Sequence, residues 1–393
     1  MRIVIAGGSI AGLFAANLLA RDGHQVSVHE RAAEELSGRG AGIVTHAELF
    51  DALAEAGVPR EAKIGVSVTG RITYDASGGV VGEWPLPQIL AGWSRIHSLL
   101  GAALPAGLLR RGHAVSAFVQ DAGGVTVRFA DGAETRADLL VGADGVRSAI
   151  RGALAPELRP LPAGYIAWRG VVEEARMSKA AQAALMGHFA FCLPEGEQML
   201  GYPVADAEGG RRYNFVWYRP ADAATLTAML TDAQGRLHPE GIAPPRIRGE
   251  FLDEARAAAR RNLAPAFAEV VALAEPLFFQ PIIDLHSTQI VFGRVALIGD
   301  AAFVARPHCG MGVTKAGADA VALARALRAT PGDLPAALAG FAAGRLPIGR
   351  HIVDHARHLG AYMQAQQNTT AEREMAARYR TPEAVMRETA VAP

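Results

Sequence analysis

The chain opens on a short apolar run, Ile3-Val4-Ile5-Ala6. Gly7-Gly8-Ser9-Ile10-Ala11-Gly12 interrupts it, and an Ala- and Leu-rich stretch then runs from Leu13 to Arg21 before Gly23. An apolar run of this length, a glycine turn and a run of helix formers read as strand, turn and helix. Gln25 to His29 reads as the next strand. Two parallel strands need a crossover between them, so the series specifies a β-α-β unit and an α/β fold. Glu30 stands 23 positions after Gly7, close to the spacing that sets a carboxylate on an adenosine ribose. The departure from G-x-G-x-x-G is Ser9, where the backbone must approach a pyrophosphate. Serine adds one small group there, and its hydroxyl can itself donate to phosphate.

At 393 residues and 50% hydrophobic content the chain can fill two domains or one large composite one. Its 39 basic and 39 acidic residues cancel without long runs of one sign, so neither nucleic acid nor an anionic membrane is indicated. The expected partner is a small molecule, with a homodimer as the candidate assembly. Cys192 and Cys309 carry no CxxC or metal spacing, which suits a reducing compartment. The apolar stretch to Ala20 imitates a secretion signal, but the glycines at 7, 8 and 12 fit a strand-turn-helix better. A cytoplasmic location is therefore expected.

Two further segments repeat the logic of a strand that stops at glycine. The buried run Leu139 to Val141 leads into Gly142-Ala143-Asp144-Gly145-Val146-Arg147-Ser148, and Val295 to Ile298 leads into Gly299-Asp300. After the second, Pro307 and the glycines at 310 and 312 block a strand, and Val313 to Leu327 reads as an Ala-rich helix. Gly310 and Gly312 then sit at a helix start, where free N–H groups and the helix dipole favour an anion and glycine lets a planar ligand come close. Gly38 to Gly42 forms another glycine-rich loop, carrying Arg39, before a helix over Ala47 to about Ala56. Val66 to Tyr74 and Val80 to Trp84 read as a hairpin, and Ile96 to Leu104 as a helix.

Between 160 and 290 the extended segments Tyr165 to Val172, Met199 to Val204 and Tyr213 to Trp217 carry most of the central aromatics, which suits a sheet facing a pocket. Arg246 to Leu263 and Leu334 to Gln367 read as helices, and the tail beyond Thr381 as loosely ordered. His351, His355 and His358 share a helix face, but without a metalloprotease glutamate or cysteine partners they read as a polar face, and no metal is expected.

These three glycine-terminated strands, in this order, resemble the FAD-dependent aromatic hydroxylases, the single-component (class A) flavoprotein monooxygenases. The hydroxypyridine-hydroxylating branch is nearest, through Gly7-Gly8-Ser9, Tyr165-Ile166-Ala167-Trp168-Arg169-Gly170, Tyr202-Pro203, Asn214 to Tyr218, Arg306-Pro307-His308 and Lys315-Ala316. The resemblance implies a Rossmann-like FAD-binding domain with a β-sheet-rich substrate domain inserted and C-terminal helices. The FAD domain would comprise 1–65, 95–159 and 291–330, the substrate domain 66–94 and 160–290, and the helical segment 331–393.

The resemblance also implies non-covalent FAD, NAD(P)H as co-substrate without a nucleotide fold of its own, and O2. Residues expected at FAD are Gly7, Gly8, Ser9, Ile10, Ala11 and Gly12, with Glu30, Arg31 and Arg39 near the adenosine. Arg95 or His97 joins them from the helix behind, and Asp144, Gly145 and Arg147 from the middle segment. Gly299, Asp300, Pro307, Gly310, Met311 and Gly312 complete the set, Asp300 on the ribityl chain and held to matter more than a solvent-nearer Glu30. A flavin C4a-hydroperoxide would hydroxylate an electron-rich aromatic or N-heteroaromatic ring. Pro307, His308, Tyr202, His188 and Trp217 are the candidates around that ring, a histidine being the natural base near neutral pH. A flavin-dependent halogenase and a non-catalytic FAD-binding protein are the alternatives.

Overall fold

The structure is a computed structural model and describes residues 1–35, 42–205 and 210–393. Its first sheet has six strands, with Arg2–Ala6 parallel to both Gln25–Glu30 and Leu139–Gly142. Leu139–Gly142 in turn runs parallel to Val295–Leu297. Helix Ile10–Arg21 packs on one face and the three-stranded sheet of Val115–Asp121, Gly124–Phe129 and Glu134–Ala137 on the other, so Arg2–Ala6, Leu139–Gly142 and Val295–Leu297 are almost wholly apolar, as buried parallel strands are. Register sets where the strands end. Ala6 pairs with Gly142 and Gly142 with Leu297, so the three glycine turns leave the same edge of the sheet side by side.

A seven-stranded, largely antiparallel sheet faces that edge. Its central strands are Leu161–Glu173, Arg211–Pro220 and Gln198–Ala205. Strict alternation sorts their side chains. Trp168, Tyr213, Phe215 and Trp217 pack on one side against helices Gly249–Asn262 and Pro265–Leu273. Tyr165, Ala167, Leu200, Tyr202, Val216 and Tyr218 pack on the other.

Several expectations change here. The run Val66 to Tyr74 is two strands, because at Gly70 the chain passes so close to the Trp84 carbonyl that a Cβ would lie 2.7 Å from it. Only Arg71–Tyr74 pairs with Val80–Trp84, while Gly65–Val68 joins Gln88–Gly92 and Gly42–Val44 in a small separate sheet. The boundary drawn after residue 65 therefore cuts a strand, and the one before 95 cuts the helix Trp93–Ala103. The long helix Leu334–Leu359 stops at Gly360, short of Gln367.

The tail beyond Thr381 is ordered. Thr381 caps the helix Pro382–Glu388 by accepting from Ala384 N, and Val385 and Met386 are buried. Arg71, 1% exposed, donates to the carbonyls of Met386 (2.6 Å), Thr389 and Ala390 (3.2 Å). Local sequence carries no sign of this anchor because the donor lies more than 300 residues upstream.

Arg71→Leu leaves those buried carbonyls without their donor and is expected to destabilise the protein by about 2–4 kcal/mol. It should also open residues 386–393 to carboxypeptidase. Unchanged thermal unfolding together with unchanged digestion would contradict this account of the anchor.

Candidate active site

The first turn is shaped by what cannot fit there. Gly7 has φ +107°, and a Cβ on it would lie 2.3 Å from the Ala143 carbonyl oxygen; one on Gly12 would lie 1.9 Å from that of Gly7. Ser9, by contrast, is extended and caps helix Ile10–Arg21 without a side-chain hydrogen bond, which leaves N–H groups at the helix start for an anion. Glu30 accepts from Gly8 N and Ala32 N, each at 2.8 Å, and is 8% exposed. Asp300 is the more open carboxylate, its side chain 50% exposed. The sequence-based order of burial for these two acids is thus reversed, since Glu30 braces the turn itself.

The second and third turns are clamped together. Arg151 donates to the carbonyls of Val146 (2.6 Å) and Leu158 (3.2 Å) on its own side, and to those of Asp300 (3.3 Å) and Ala301 (3.0 Å) across the gap. Asp144 accepts from Ile150 N at 3.2 Å, its Oδ1 is buried without a partner, and burial pushes its pKa up. Lys315 is fully buried with its Nζ 3.6 Å from Asp300. Asp319 accepts from Gly299 N at 2.9 Å and from Arg345 at 2.7 Å, fixing the backbone under Asp300.

Two adjoining cavities of about 320 and 340 Å³ run along this edge and share Ser9, Trp93, Ala143 and Gly145 as walls. Gly7, His29, Glu30, Arg31, Asp144 and Arg147 line the outer one, where Arg147 also pairs with Glu240 at 3.2 Å. Ile10, Ala11, Asp300, Pro307, Gly310 and Gly312 line the inner one, with Tyr202 and His308. The inner cavity ends on the aromatic face of the large sheet and on Thr389 and Ala390 of the tail.

Other expected residues lie elsewhere. Trp217 is on the far face of its strand, donating to Glu197 at 2.9 Å, because odd and even positions there face opposite ways. His188, Met311, Gly8 and Gly12 line neither cavity, though the two glycines shape the turn. Arg95 points to the Lys63 carbonyl at 2.9 Å, and His97 meets the Gly8 carbonyl at 3.2 Å from behind and stacks on Trp93. Arg39 is outside the described residues.

His308 is in the inner wall, and its surroundings disfavour the protonated imidazole. Its Nε2 lies 2.7 Å from the Tyr165 hydroxyl, and burial, with the Arg306 guanidinium nearby, pushes the imidazole down to about 3. Sequence reasoning missed Trp93, Arg169, Tyr218 and the tail as wall residues. Alternation from Tyr165 and Tyr202 was the available signal for Arg169 and Tyr218.

The unfolded chain binds a proton at His308 near pH 6.5, whereas the folded value is about 3. Its contribution to stability is therefore complete above about pH 6.5 and lost as pH falls below that. The melting temperature should drop more steeply from about pH 7 to about pH 4 in the wild type than in His308→Gln. Parallel pH curves for the two proteins would refute the neutral buried imidazole.

Glycine turns that exclude a Cβ, an uncapped helix start and a buried unpartnered Asp144 oxygen fit an extended dinucleotide such as FAD. Comparison with known proteins agrees. A family model described as FAD binding domain-like matches residues 162–284. The 2,6-dihydroxypyridine 3-monooxygenase of Paenarthrobacter nicotinovorans is 30% identical over 378 residues, covering 92% of this chain and 91% of that protein. Salicylate hydroxylase of Pseudomonas putida is 29% identical, covering 85% and 78%. The solved 2,6-dihydroxypyridine-3-hydroxylase from Arthrobacter nicotinovorans superposes with a TM-score of 0.87 at 29% identity, covering 94% of this chain and 95% of that one. Klebsiella pneumoniae HpxO, solved with FAD and uric acid, gives 0.79 at 25% identity, covering 98% and 95%. The chain belongs to the FAD-dependent aromatic monooxygenases, and it is an FAD enzyme that hydroxylates an aromatic ring.

Proposed function

We propose that the ring is a hydroxypyridine or a similarly electron-rich hydroxylated aromatic, held in the inner cavity and hydroxylated at the expense of NAD(P)H and O2. The observation that carries this reading is the continuous lining from the glycine turns to an aromatic, largely apolar chamber. The relatives named for dihydroxypyridine and salicylate support it. In this reading Glu30 and Arg31 would hold the adenosine end of FAD, the start of helix Ile10–Arg21 the pyrophosphate, and Asp300 the ribityl chain. Pro307, Gly310 and Gly312, which line the inner cavity, would border the flavin ring. Bound FAD supplies the redox chemistry, passing electrons from the nicotinamide to dioxygen.

The protein's own part is to place the ring and keep it dry. Phe189, Leu200 and Val216 form an apolar wall, and Thr389 and Ala390 close it from the tail, which limits the water that would divert reduced cofactor into peroxide. Among the described residues no helix is long and apolar enough to cross a membrane. Both cysteines are buried and unpaired, which supports a cytoplasmic setting.

NAD(P)H oxidation should be slow alone and rise strongly with the right ring, because substrate that favours a nicotinamide-accessible state shifts the population toward it. A panel of hydroxypyridines, phenols and hydroxybenzoates, monitored by NAD(P)H loss, peroxide and product mass, is expected to show a gain of one oxygen with little peroxide. No stimulation by any ring would reject the reading. Glu30→Ala removes the acceptor of Gly8 N as well as a wall of the outer cavity, so it should weaken FAD binding at least as much as Asp300→Ala. Titration of apoprotein with FAD checks this, and a clearly larger loss in Asp300→Ala would contradict it.

A further inference from the structure

Resting on the hydroxylase reading above, we propose that Arg169 is the anion-recognition residue of the inner cavity, and that the substrate enters with its ring hydroxyl already ionised. Arg169 stands on the cavity side of strand Leu161–Glu173, in alternation with Tyr165 and Ala167. It is half-buried, its Nε is buried without a partner, and among the described residues no carboxylate or carbonyl meets its guanidinium.

The fully buried arginines among the described residues are all engaged. Arg71 and Arg151 hold backbone carbonyls, Arg306 holds Asp284 at 2.7 Å, and Arg345 holds Asp319 at 2.7 Å. An arginine Nε withdrawn from water without a partner is costly, and an anion bound in the cavity would supply that partner and a counter-charge together. An oxyanion on a planar ring, stacked among aromatic walls, answers that chemistry.

Among the described residues no carboxylate or imidazole in the lining of the same cavity meets Arg169 to take a proton beside it. Tyr202 and Tyr218 are the titratable groups facing Arg169 from the neighbouring strands; burial raises both, Tyr218 to about 12, with Arg169 opposing. Across the cavity Nε2 of His308 is engaged with Tyr165, and Arg306 is engaged with Asp284. Asp300, the one acidic wall residue among those described, belongs to the edge where Lys315 faces it. His46, outside that lining, is bonded through Nδ1 to Thr314 at 3.0 Å, and burial lowers its pKa against the opposing charge of Glu48. The hydroxyl proton is thus left in bulk water before entry, and the oxyanion donates its charge to the ring while its oxygen is held by Arg169.

Binding of the anion alone makes apparent affinity proportional to the ionised fraction of the ligand, so it falls about tenfold per pH unit below the ligand's own pKa. The test uses FAD-loaded enzyme and the flavin absorbance change on binding 2,6-dihydroxypyridine, 4-nitrophenol, 4-cyanophenol and phenol across pH. The midpoint is expected to move with the acidity of each ligand. Arg169→Met should lose roughly tenfold to a hundredfold in affinity for each anion and flatten the pH dependence, with Arg169→Lys recovering part of it and FAD content unchanged in both. A midpoint that stays fixed across ligands, or Arg169→Met binding as the wild type does, overturns the proposal while leaving the hydroxylase reading intact. If none of these rings perturbs the flavin and no ring stimulates NAD(P)H oxidation, both fall together.

Discussion

The Arg151 side chain is the tie on which the site depends. Three turns leave one sheet edge in register, but the ladder's last bonds are those of Ala143 N to the Ala6 carbonyl (2.8 Å) and Ile298 N to the Gly142 carbonyl (3.0 Å), and past these, among the described residues, the ladder holds the turns no further. Arg151 supplies the missing link by donating to carbonyls on both sides of the gap. Its burial is tolerable because it is fully engaged, and carbonyls that would otherwise be orphaned at the ends of two strands gain a charged donor. The Gly7–Ala143 contact, too close for any Cβ, completes the cleft from the third side.

The large sheet performs two tasks with one set of strands. Alternate residues build an ordinary aromatic core against the helices Gly249–Asn262 and Pro265–Leu273, while their neighbours, one position along, form the wall of a binding chamber. That duality explains why Trp168 and Arg169, or Trp217 and Tyr218, are adjacent in sequence yet serve unrelated ends. It also makes the register unforgiving, since a slip by one residue would turn the tryptophans into the chamber and bury Arg169 in the core.

How much of the molecule is legible in its sequence depends on the range of the forces involved. The glycine turns, the strands before them and the helices after them are fixed by residues within a few positions, and Gly7, Asp144, Gly299 and Asp300 were all recognisable on that basis. The chemistry implied by the family resemblance was legible in the same stretches. Facing was not fully read, and Trp217 was placed at the substrate although the alternation that puts Tyr202 and Tyr218 there excludes it. The protonation of His308 was beyond the sequence, because its neutrality comes from burial and from Arg306 in the folded state. The tail was beyond it as well, because its anchor is a single distant side chain.

That anchor bears on the order in which the site is assembled during synthesis. All three glycine turns, Arg151 and the helix Gly312–Ala329 have been made when the ribosome is still 61 residues short of Ala390, whereas the carbonyls that Arg71 grips come 315 to 319 positions after it. A nascent chain therefore contains the residues of the three glycine turns before it contains those that seal the substrate chamber. A flavin acquired early would sit in a protein with one wall of that chamber absent, and arrival of residues 386–390 at Arg71 would be the event that closes it.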